Sequence, residues 1–573
     1  MSTTTDDAPT SPAPARGLSA VLDAAAATHA RAVALLLVVS LLAFLPGFFQ
    51  IPPVDRDEAR FAQASKQMLE RGDYVDIRFQ DEVRYKKPVG IYWLQVASVK
   101  AGEALGVRDA QTTIWLYRVP SLIGAIGAVL VTYWAALAFV ARRTALLAAL
   151  MMATSILLGV EARLAKTDAM LLLMSVAAMG ALARIYLAAR HTPPHVAGWR
   201  MPAILWTSIA GGVLIKGPLV LMFVALTILA LGIADRSVRW VRDIRPLTGF
   251  LWMLLLVAPW FIAIVAKSGD DFFMKSVGDD MLSKVTSGQE AHGAPPGYYF
   301  LLFWITFWPG SVLAGLAAPT IWKARAEPGA RFLLAWVIPS WIVFEAVMTK
   351  LPHYVLPLYP AIAILIAGIV EKNGLWRNKW IEHGTIGWFL LPGAIAIAVP
   401  VIFITMSRDL GLIAWPFAAA AAIFGLFAWW LFAVDGAERA VLRGMASSIF
   451  IAVTIYAITF PMLPSLFPSE LVAREVHAKG CAHPQLASTY NYQEPSLVFL
   501  LGTETKFTDA PGAAEFLHEG PCRFALIDAR SERAFVQRAN ALNVSFTLGN
   551  RIDGFNISNG KRFSMAVFHS AAP

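Results

Sequence analysis

Acidic and basic residues gather in a charged segment that directly follows an apolar run of the chain. Asp55, Asp57 and Glu58 begin this segment with Arg60 close by. The basic cluster of Arg84, Lys86 and Lys87 ends it roughly thirty residues later. A carboxylate can accept a proton from a reacting hydroxyl, and lysine or arginine can hold the negative charge of a phosphate. The pattern therefore predicts chemistry on a charged, lipid-linked substrate at a membrane surface.

A second group of charges lies in the sequence VEARLAKTDAML, between two apolar segments. A charged side chain within a membrane span costs about 2.5–3.5 kcal/mol, so such residues usually have a partner or a task. Arg163 either forms an interfacial ion pair with Glu161 or Asp168, or serves a site that Asp168 builds together with Asp57. The predicted topology places both aspartates on one side of the membrane, which favours an active site there.

Two later loops contain further candidates. Lys284, Glu290 and His292 lie in a loop rich in glycine and proline, and such a loop can change its shape. Glu290 and His292 would bind a metal ion only with ligands from elsewhere in the chain. In the following loop, Lys350 either anchors the chain at the membrane interface or faces a lipid phosphate beside Tyr354.

The composition is that of a polytopic α-helical membrane protein. The 573 residues are 57% hydrophobic and only 15% charged. The net charge of +9 is explained by basic cytoplasmic loops, so no nucleic-acid partner is expected. Two cysteines, Cys481 and Cys522, are too few for a zinc finger or an iron–sulfur centre. They are predicted either to form a disulfide bond or to remain free thiols.

About thirteen apolar segments are long enough to cross a membrane. Lysine and arginine are concentrated in the loops that follow the even-numbered segments, which places the N-terminus in the cytoplasm. An odd number of spans then places the C-terminal region in the periplasm of a Gram-negative cell. The prediction is a multi-pass protein of the bacterial inner membrane.

Three parts follow from this topology. Residues 1–30 are predicted to form a disordered cytoplasmic tail, residues 31–463 a transmembrane domain, and residues 464–573 a small periplasmic α/β domain. The first periplasmic loop, residues 50–112, contains two amphipathic helical patterns. These helices lie on the membrane surface, or they pack on the bundle as ordinary loop helices. In either case they would cover the site that Asp57 opens.

The C-terminal region is predicted to alternate between helices and strands. The predicted helices are 470–479 and 531–542, and the predicted strands are 485–490, 497–501, 524–528, 544–548 and 563–569. Tyr490, Tyr492 and Glu494 either contact the acceptor or belong to a scaffold or lid.

The motifs DRDEARFAQASKQMLERGDYV and YKKPVGIYWLQ resemble the first outer loop of the lipid A aminoarabinose transferase family. That family belongs to the GT-C membrane glycosyltransferases, together with protein O-mannosyltransferases and rhizobial galacturonic acid transferases. ARLAKTDAML, EAHGAPPGYY, KLPHYVLPLYP and NYQEPSLVFLLG look like its later motifs in the same order. The resemblance spans nearly the whole chain after the N-terminal tail.

The resemblance implies a role for several residues of this sequence. Asp57 would be the principal catalytic carboxylate and Asp168 its partner. Lys87 would contact the phosphate of the donor, with Tyr354 nearby. Lys284 stands where the family usually has an arginine.

The sequence also departs from the family pattern. Lys86 replaces an acidic residue that in the aminoarabinose enzymes helps to bind a metal ion with a loop histidine. This change argues against a divalent metal cofactor here, even though Glu290 and His292 remain. Val89 replaces a second proline, and Phe61 stands where tyrosine is common. The departures suggest a sugar or acceptor other than aminoarabinose and lipid A phosphate, and they favour the rhizobial branch.

The predicted function is transfer of a sugar from a polyprenyl-phosphate donor to a cell-envelope acceptor, such as lipid A or the lipopolysaccharide core. One displacement would invert the anomeric centre, with Glu58 and Arg163 orienting the acceptor. The alternatives are a protein O-mannosyltransferase-like enzyme and a transporter or flippase for a polyprenyl-linked lipid. Transporters commonly show internal repeats and charges at mid-membrane, neither of which is evident in this sequence.

Overall fold

The structure is a computed structural model that describes residues 17–570, apart from 191–197, 270, 277, 279–292, 377 and 557–559. Helices dominate the first 460 residues. In order they are α1 (Leu18–Ala26), α2 (His29–Phe44), α3 (Asp57–Arg71), α4 (Gly90–Ala104), α5 (Ile114–Ala136), α6 (Arg142–Ala153), α7 (Ile156–Glu161), α8 (Asp168–Ala188), α9 (Arg200–Lys216), α10 (Leu219–Asp235), α11 (Pro246–Ser268), α12 (Tyr298–Thr306), α13 (Ser311–Lys323), α14 (Pro328–Ala346), α15 (Tyr359–Glu371), α16 (Lys379–Ile386), α17 (Leu391–Ser407), α18 (Trp415–Trp430) and α19 (Phe432–Ala452).

The helical part is that of a multi-pass membrane protein. Within the described residues, eight helical segments are long and apolar enough to cross a membrane, or nine if the bent pair α12 and α13 forms one span. The direction of the chain bends by 120° between the two helices of that pair. The predicted number of about thirteen spans is not confirmed, because several apolar segments form shorter helices. Two of these are α2 with 16 residues and α10 with 17.

The first loop, residues 50–112, folds as α3, a small hairpin of β1 (Arg78–Phe79) and β2 (Glu82–Val83), and α4. Most of α3 is buried, including the side chain of Lys66, which its helical position assigns to the polar face. The Lys66 ammonium donates to the carbonyl of Phe499 at 2.9 Å, so the C-terminal region covers this face. The structure therefore agrees with helices packed on protein rather than with helices lying on the membrane.

The C-terminal region forms a five-stranded sheet between two layers of helices. The strands are β3 (Gln485–Thr489), β4 (Lys506–Thr508), β5 (Arg523–Asp528), β6 (Phe546–Asn556) and β7 (Lys561–Ser570), in the order β4-β3-β5-β7-β6. β3 is parallel to β4 and β5, whereas β7 is antiparallel to β5 and β6. The helices are α20 (Pro468–His477), α21 (Pro495–Leu501), α22 (Ala510–His518) and α23 (Glu532–Ala541).

Side chains alternate between the two faces of this sheet, as a pleated strand requires. Leu486 and Leu526 pack on one face with residues of α20 and α21, and Ala487 and Ala525 pack on the other with residues of α22 and α23. Cys481 and Cys522 form a disulfide bond just before β3 and β5. The bond therefore ties together the starts of two neighbouring strands.

One predicted strand of this region is wrong. Residues 497–501 form helix α21, which begins with Pro495 in its first turn. A short apolar run buried on several sides does not distinguish a helix from a strand by its periodicity. The prediction also missed β4 and α22. The proposed boundaries of the three parts of the chain stay predictions.

Candidate active site

A cavity of about 590 Å³ lies between the first loop and the ends of several membrane helices. Its lining comes from residues within 54–61, 84–87, 157–168 and 349–354, and from Lys216 at the end of α9. These segments are distant in sequence. The cavity therefore exists only because the helices bring their ends to the same edge of the bundle.

The first loop supplies the outer rim of the cavity. Asp57 is the first residue of α3, where the helix dipole favours a negative charge, and its side chain is exposed. Arg60 follows one turn later, and Lys86 and Lys87 approach from the other end of the loop. The structure thus brings together four residues that the sequence predicted as site residues. Arg84, which belongs to the same basic cluster as Lys86 and Lys87, also lines the rim.

Glu58 borders the same cavity, but its carboxylate is already engaged. It forms a two-point ion pair with Arg118 at 2.7 and 2.8 Å, and both side chains are almost fully buried. Its oxygens also accept hydrogen bonds from the backbone N–H groups of Val54 and Ala165. This geometry fixes the path of the first loop and speaks against the predicted acceptor-orienting role of Glu58.

The inner floor of the cavity is a buried network of opposite charges. Glu161 pairs with Lys166 at 3.1 Å, and Asp168 pairs with Lys216. The imidazole of His353 lies between the two acids, 3.7 Å from a Glu161 oxygen and 3.6 Å from an Asp168 oxygen. Asp168, the predicted partner of Asp57, therefore enters the cavity as the first residue of α8 with a cation beside it.

Arg163 does not form the predicted ion pair with Glu161 or Asp168. Its guanidinium donates to the backbone carbonyls of Pro46, Gly159 and Ala43, and it stacks on the ring of Tyr456 at 4.2 Å. It lines a separate apolar cavity of about 240 Å³. The contacts that Arg163 makes speak against its predicted role in orienting an acceptor in the larger cavity.

Tyr354 and Lys350 are close in sequence, but their side chains lie in different surroundings. Tyr354 lines the large cavity, and the Lys216 ammonium lies 5.3 Å from the centre of its ring. Lys350 is buried, and its ammonium donates to the carbonyls of Glu345 at 2.9 Å and Val347 at 2.5 Å. It therefore caps the end of α14. This role differs from both predictions for Lys350, which were an anchor at the membrane interface and a contact with a lipid phosphate.

The predicted loop residues Lys284, Glu290 and His292 lie outside the described residues. Within the described residues, Glu161, Asp168 and His353 form a group whose possible ligand atoms lie within 4.8 Å of one another. Their two carboxylates are, however, already paired with lysine ammonium groups, which repel a divalent cation. This arrangement does not fit a metal ion, and no step of the reaction below depends on one.

The C-terminal region reaches the cavity through Asp55. The carboxylate of Asp55 accepts hydrogen bonds from the backbone N–H of Ser496 at 2.9 Å and from its hydroxyl at 2.7 Å. Burial and the negative charge of Glu494 raise the pKa of Asp55 to about 7, although the Ser496 hydrogen bonds act in the opposite direction. Tyr492 and Glu494, two predicted acceptor contacts, are buried in this junction.

The sequence places Lys166 in the charged motif VEARLAKTDAML but assigns it no role, and Lys216 was not predicted as a site residue. A signal for Lys216 was present, because it is a lone charge at a Gly-Pro break between two apolar segments, where a charge needs a partner. Its partner, Asp168, is 48 residues away in the chain. Only the packing of α9 against α8 reveals the pair.

Comparisons with known proteins agree with this fold. The structure matches the crystal structure of ArnT from Cupriavidus metallidurans in the apo state, with a TM-score of 0.73 and 17% identity, over 93% of this chain and 97% of that chain. It also matches that protein bound to undecaprenyl phosphate, with a TM-score of 0.71 and 18% identity, over 94% and 98% of the two chains. The predicted GT-C fold is confirmed.

Sequence comparisons point the same way. Residues 34–268 match the family described as dolichyl-phosphate-mannose-protein mannosyltransferase. A relative in Pectobacterium atrosepticum, undecaprenyl phosphate-alpha-4-amino-4-deoxy-L-arabinose arabinosyl transferase, is 28% identical over 363 residues, which are 60% of this chain and 62% of the relative. A Yersinia pestis protein of the same name is 27% identical over 62% of each chain. The chain thus spans less than two thirds of the curated relatives it matches. The rhizobial branch is not confirmed.

Proposed function

We propose that this chain, an ArnT-like protein with the GT-C fold, is a glycosyltransferase of the bacterial inner membrane. It would move a sugar from a polyprenyl-phosphate donor to a cell-envelope acceptor such as lipid A or the lipopolysaccharide core. The observation that carries the proposal is the single cavity in which Asp57 and Asp168 meet Lys87 and Tyr354. The similarity to relatives named for undecaprenyl-phosphate-linked transfer supports it.

The basic rim of the cavity suits the donor. When the sugar leaves, the polyprenyl phosphate departs as an anion and needs no proton from a strong acid. Lys87, Lys86 and Arg60 would hold its charge through charge-assisted hydrogen bonds. That the related fold has been seen with undecaprenyl phosphate bound agrees with this assignment.

The acids of the cavity suit the acceptor. An acceptor hydroxyl must lose its proton as it attacks, and Asp57, exposed at the rim, would take that proton as general base. Asp168, held in place by Lys216, would stabilise the positive charge that develops on the sugar, as carboxylates do in glycoside hydrolysis. A single displacement of this kind inverts the anomeric centre. If the acceptor is itself a phosphate, Asp57 would position it instead.

The membrane orientation belongs to the same proposal. The cavity, the first loop and the C-terminal region would face the periplasm, and the N-terminus would face the cytoplasm. The basic residues in alternate loops support this orientation. Selective labelling of single cysteines placed in the first loop and in the cytoplasmic loops of intact cells would test it.

Protein O-mannosyl transfer is a second candidate, because residues 34–268 match the corresponding family. The two candidates differ in their acceptor. Purified protein would be incubated with polyprenyl-phosphate sugars and, in separate reactions, with lipid A, lipopolysaccharide core or a serine- and threonine-containing peptide. Glycosylation of the lipid supports the main proposal, glycosylation of the peptide supports the second, and no transfer with any combination would contradict both.

A further inference from the structure

The C-terminal domain bonds directly to the short segment that leads into Asp57. Ser496, in the first turn of α21, holds both oxygens of Asp55 through its N–H and its hydroxyl. Asp55 and Asp57 are two residues apart and both line the cavity. Because a two-point contact fixes the orientation as well as the position of a carboxylate, it restrains the backbone on which Asp57 is carried.

The groups behind Ser496 are themselves buried and connected. The Ser496 hydroxyl oxygen lies 2.5 Å from that of Ser469 in α20, which lies 2.9 Å from the hydroxyl of Tyr492. All three side chains are at most 3% exposed. Nearby, Glu494 accepts a hydrogen bond from the Asn556 amide at 2.7 Å. The contact with Asp55 is therefore built on a rigid, well-connected part of the domain.

A second set of contacts joins the domain to α3 farther from Asp57. The Gln63 amide donates to the Thr503 hydroxyl at 2.7 Å, and that hydroxyl donates to Glu70 at 2.7 Å. The carbonyl of Phe499 accepts from Lys66. These bonds attach the domain to the helix without touching residue 55. Substitutions in the two sets of contacts can therefore separate attachment of the C-terminal domain from positioning of Asp57.

From this geometry we infer that Ser496 is a positioning residue for the transfer reaction, acting on Asp57 through Asp55. The inference rests on the proposed function. A general base works only within about 2.6–3.2 Å of the proton it accepts, and a displacement of about 1 Å can cost roughly a hundredfold in rate. Binding of the donor phosphate depends on the lysines and arginines of the rim, so it should change little.

The direct test is Ser496→Ala in the purified full chain, with two readouts. We expect the turnover number to fall at least about tenfold, because loss of the restraint lets Asp57 move out of the position for proton transfer, while KM for the polyprenyl-phosphate sugar stays within about twofold. Backbone hydrogen exchange of residues 54–58 should become faster. Binding of undecaprenyl phosphate alone should remain close to that of the unaltered protein.

The matched control is Thr503→Val, which removes an interface hydroxyl of the same domain but leaves the Ser496 contact intact. We expect exchange to increase at residues 63–70 and turnover to change by less than about twofold. Asp55→Ala removes both hydrogen bonds, whereas Ser496→Ala removes only the bond from the hydroxyl, so Asp55→Ala should lower turnover at least as much. The double variant should then be no slower than Asp55→Ala, because the hydroxyl of Ser496 acts only through Asp55.

The outcomes distinguish a positioning role of Ser496 from a purely structural one. Equal losses in Ser496→Ala and Thr503→Val, or a rise in KM without a fall in turnover, would overturn the inference. If Ser496→Ala fails to fold, Asp55→Ala tests the contact between these two residues instead. If the unaltered protein transfers no sugar at all, the proposed function fails. Hydrogen exchange of residues 54–58 still tests the restraint on the backbone, and unchanged exchange in Ser496→Ala would overturn it.

Discussion

The outer rim and the inner floor of the cavity hold charge in different ways. The rim is partly open to solvent, and Asp57 and Lys86 are exposed there. In the floor, Glu161 and Asp168 are at most 4% exposed, and each has a lysine beside it. A buried acid without a partner would be costly, whereas an exposed acid remains available to a substrate. The rim is therefore suited to binding and proton transfer, and the floor to a fixed electrostatic field.

The same contrast separates two neighbouring residues. Asp57 opens onto the rim, and Glu58, the next residue, is enclosed in an ion pair with Arg118. Two carboxylates adjacent in sequence thus differ in their surroundings, and we propose that Asp57 serves the site whereas Glu58 stabilises the fold. Substitutions at Asp57 and at Glu58 should therefore have different consequences for activity and for stability.

Asp57→Asn should abolish most of the sugar transfer and leave the fold intact. Loss of a general base typically lowers a rate by about 10²–10⁴-fold, and an exposed side chain contributes little to stability. The measurement is the turnover of purified variant and unaltered protein, together with their thermal unfolding. Near-normal turnover in Asp57→Asn would refute its assignment as the base.

Glu58→Ala should have the opposite profile, with loss of folded protein as its primary effect. Removing one partner of a buried ion pair costs about 3–5 kcal/mol, because Arg118 is then left buried with an uncompensated charge. Yield of folded protein in detergent and its melting temperature would be measured. If Glu58→Ala were fully stable yet inactive, Glu58 would belong to the site after all.

Lys87→Ala should weaken donor binding by roughly ten- to a hundredfold, since a charge-assisted hydrogen bond contributes about 1.5–3 kcal/mol. The affinity for undecaprenyl phosphate and the KM of donor and acceptor would be compared. Lys86→Ala, at the neighbouring exposed position, serves as a comparison within the same rim. Equal effects of Lys87→Ala on donor and acceptor would indicate a scaffold role for Lys87.

The smallest effect concerns pH and the contact between Asp55 and Ser496. Because the pKa of Asp55 is raised to about 7 in the fold, its carboxyl group favours the folded state most when protonated. This contribution is complete below a pH of about 4 and is lost as the pH rises through 7. Asp55→Asn, which cannot ionise, should show a weaker decrease of melting temperature over that range. Parallel curves for Asp55→Asn and the unaltered protein would contradict this.

Much of the site could be predicted from residue types and their positions at the ends of apolar segments. Asp57, Asp168, Lys86, Lys87, Arg60 and Tyr354 were all singled out in this way, and all line one cavity. Arg163 and Lys350 were singled out by the same reasoning, yet both are bonded to backbone carbonyls. A charge near a membrane surface signals that it needs a partner, but the sequence does not say whether that partner is substrate or protein.

The amino-acid sequence alone establishes that the chain crosses a membrane many times, since only apolar segments of sufficient length are stable there. It also contains the acidic and basic residues that the proposed sugar transfer requires. The folded structure was needed to show that Lys216 pairs with Asp168 and that Glu58 pairs with Arg118. It was also needed to show that Ser496 bonds to Asp55, which is 441 residues away in the chain. The physical reason is that local sequence sets hydrophobicity and helix ends, whereas the partner of a buried charge is fixed by how distant helices pack.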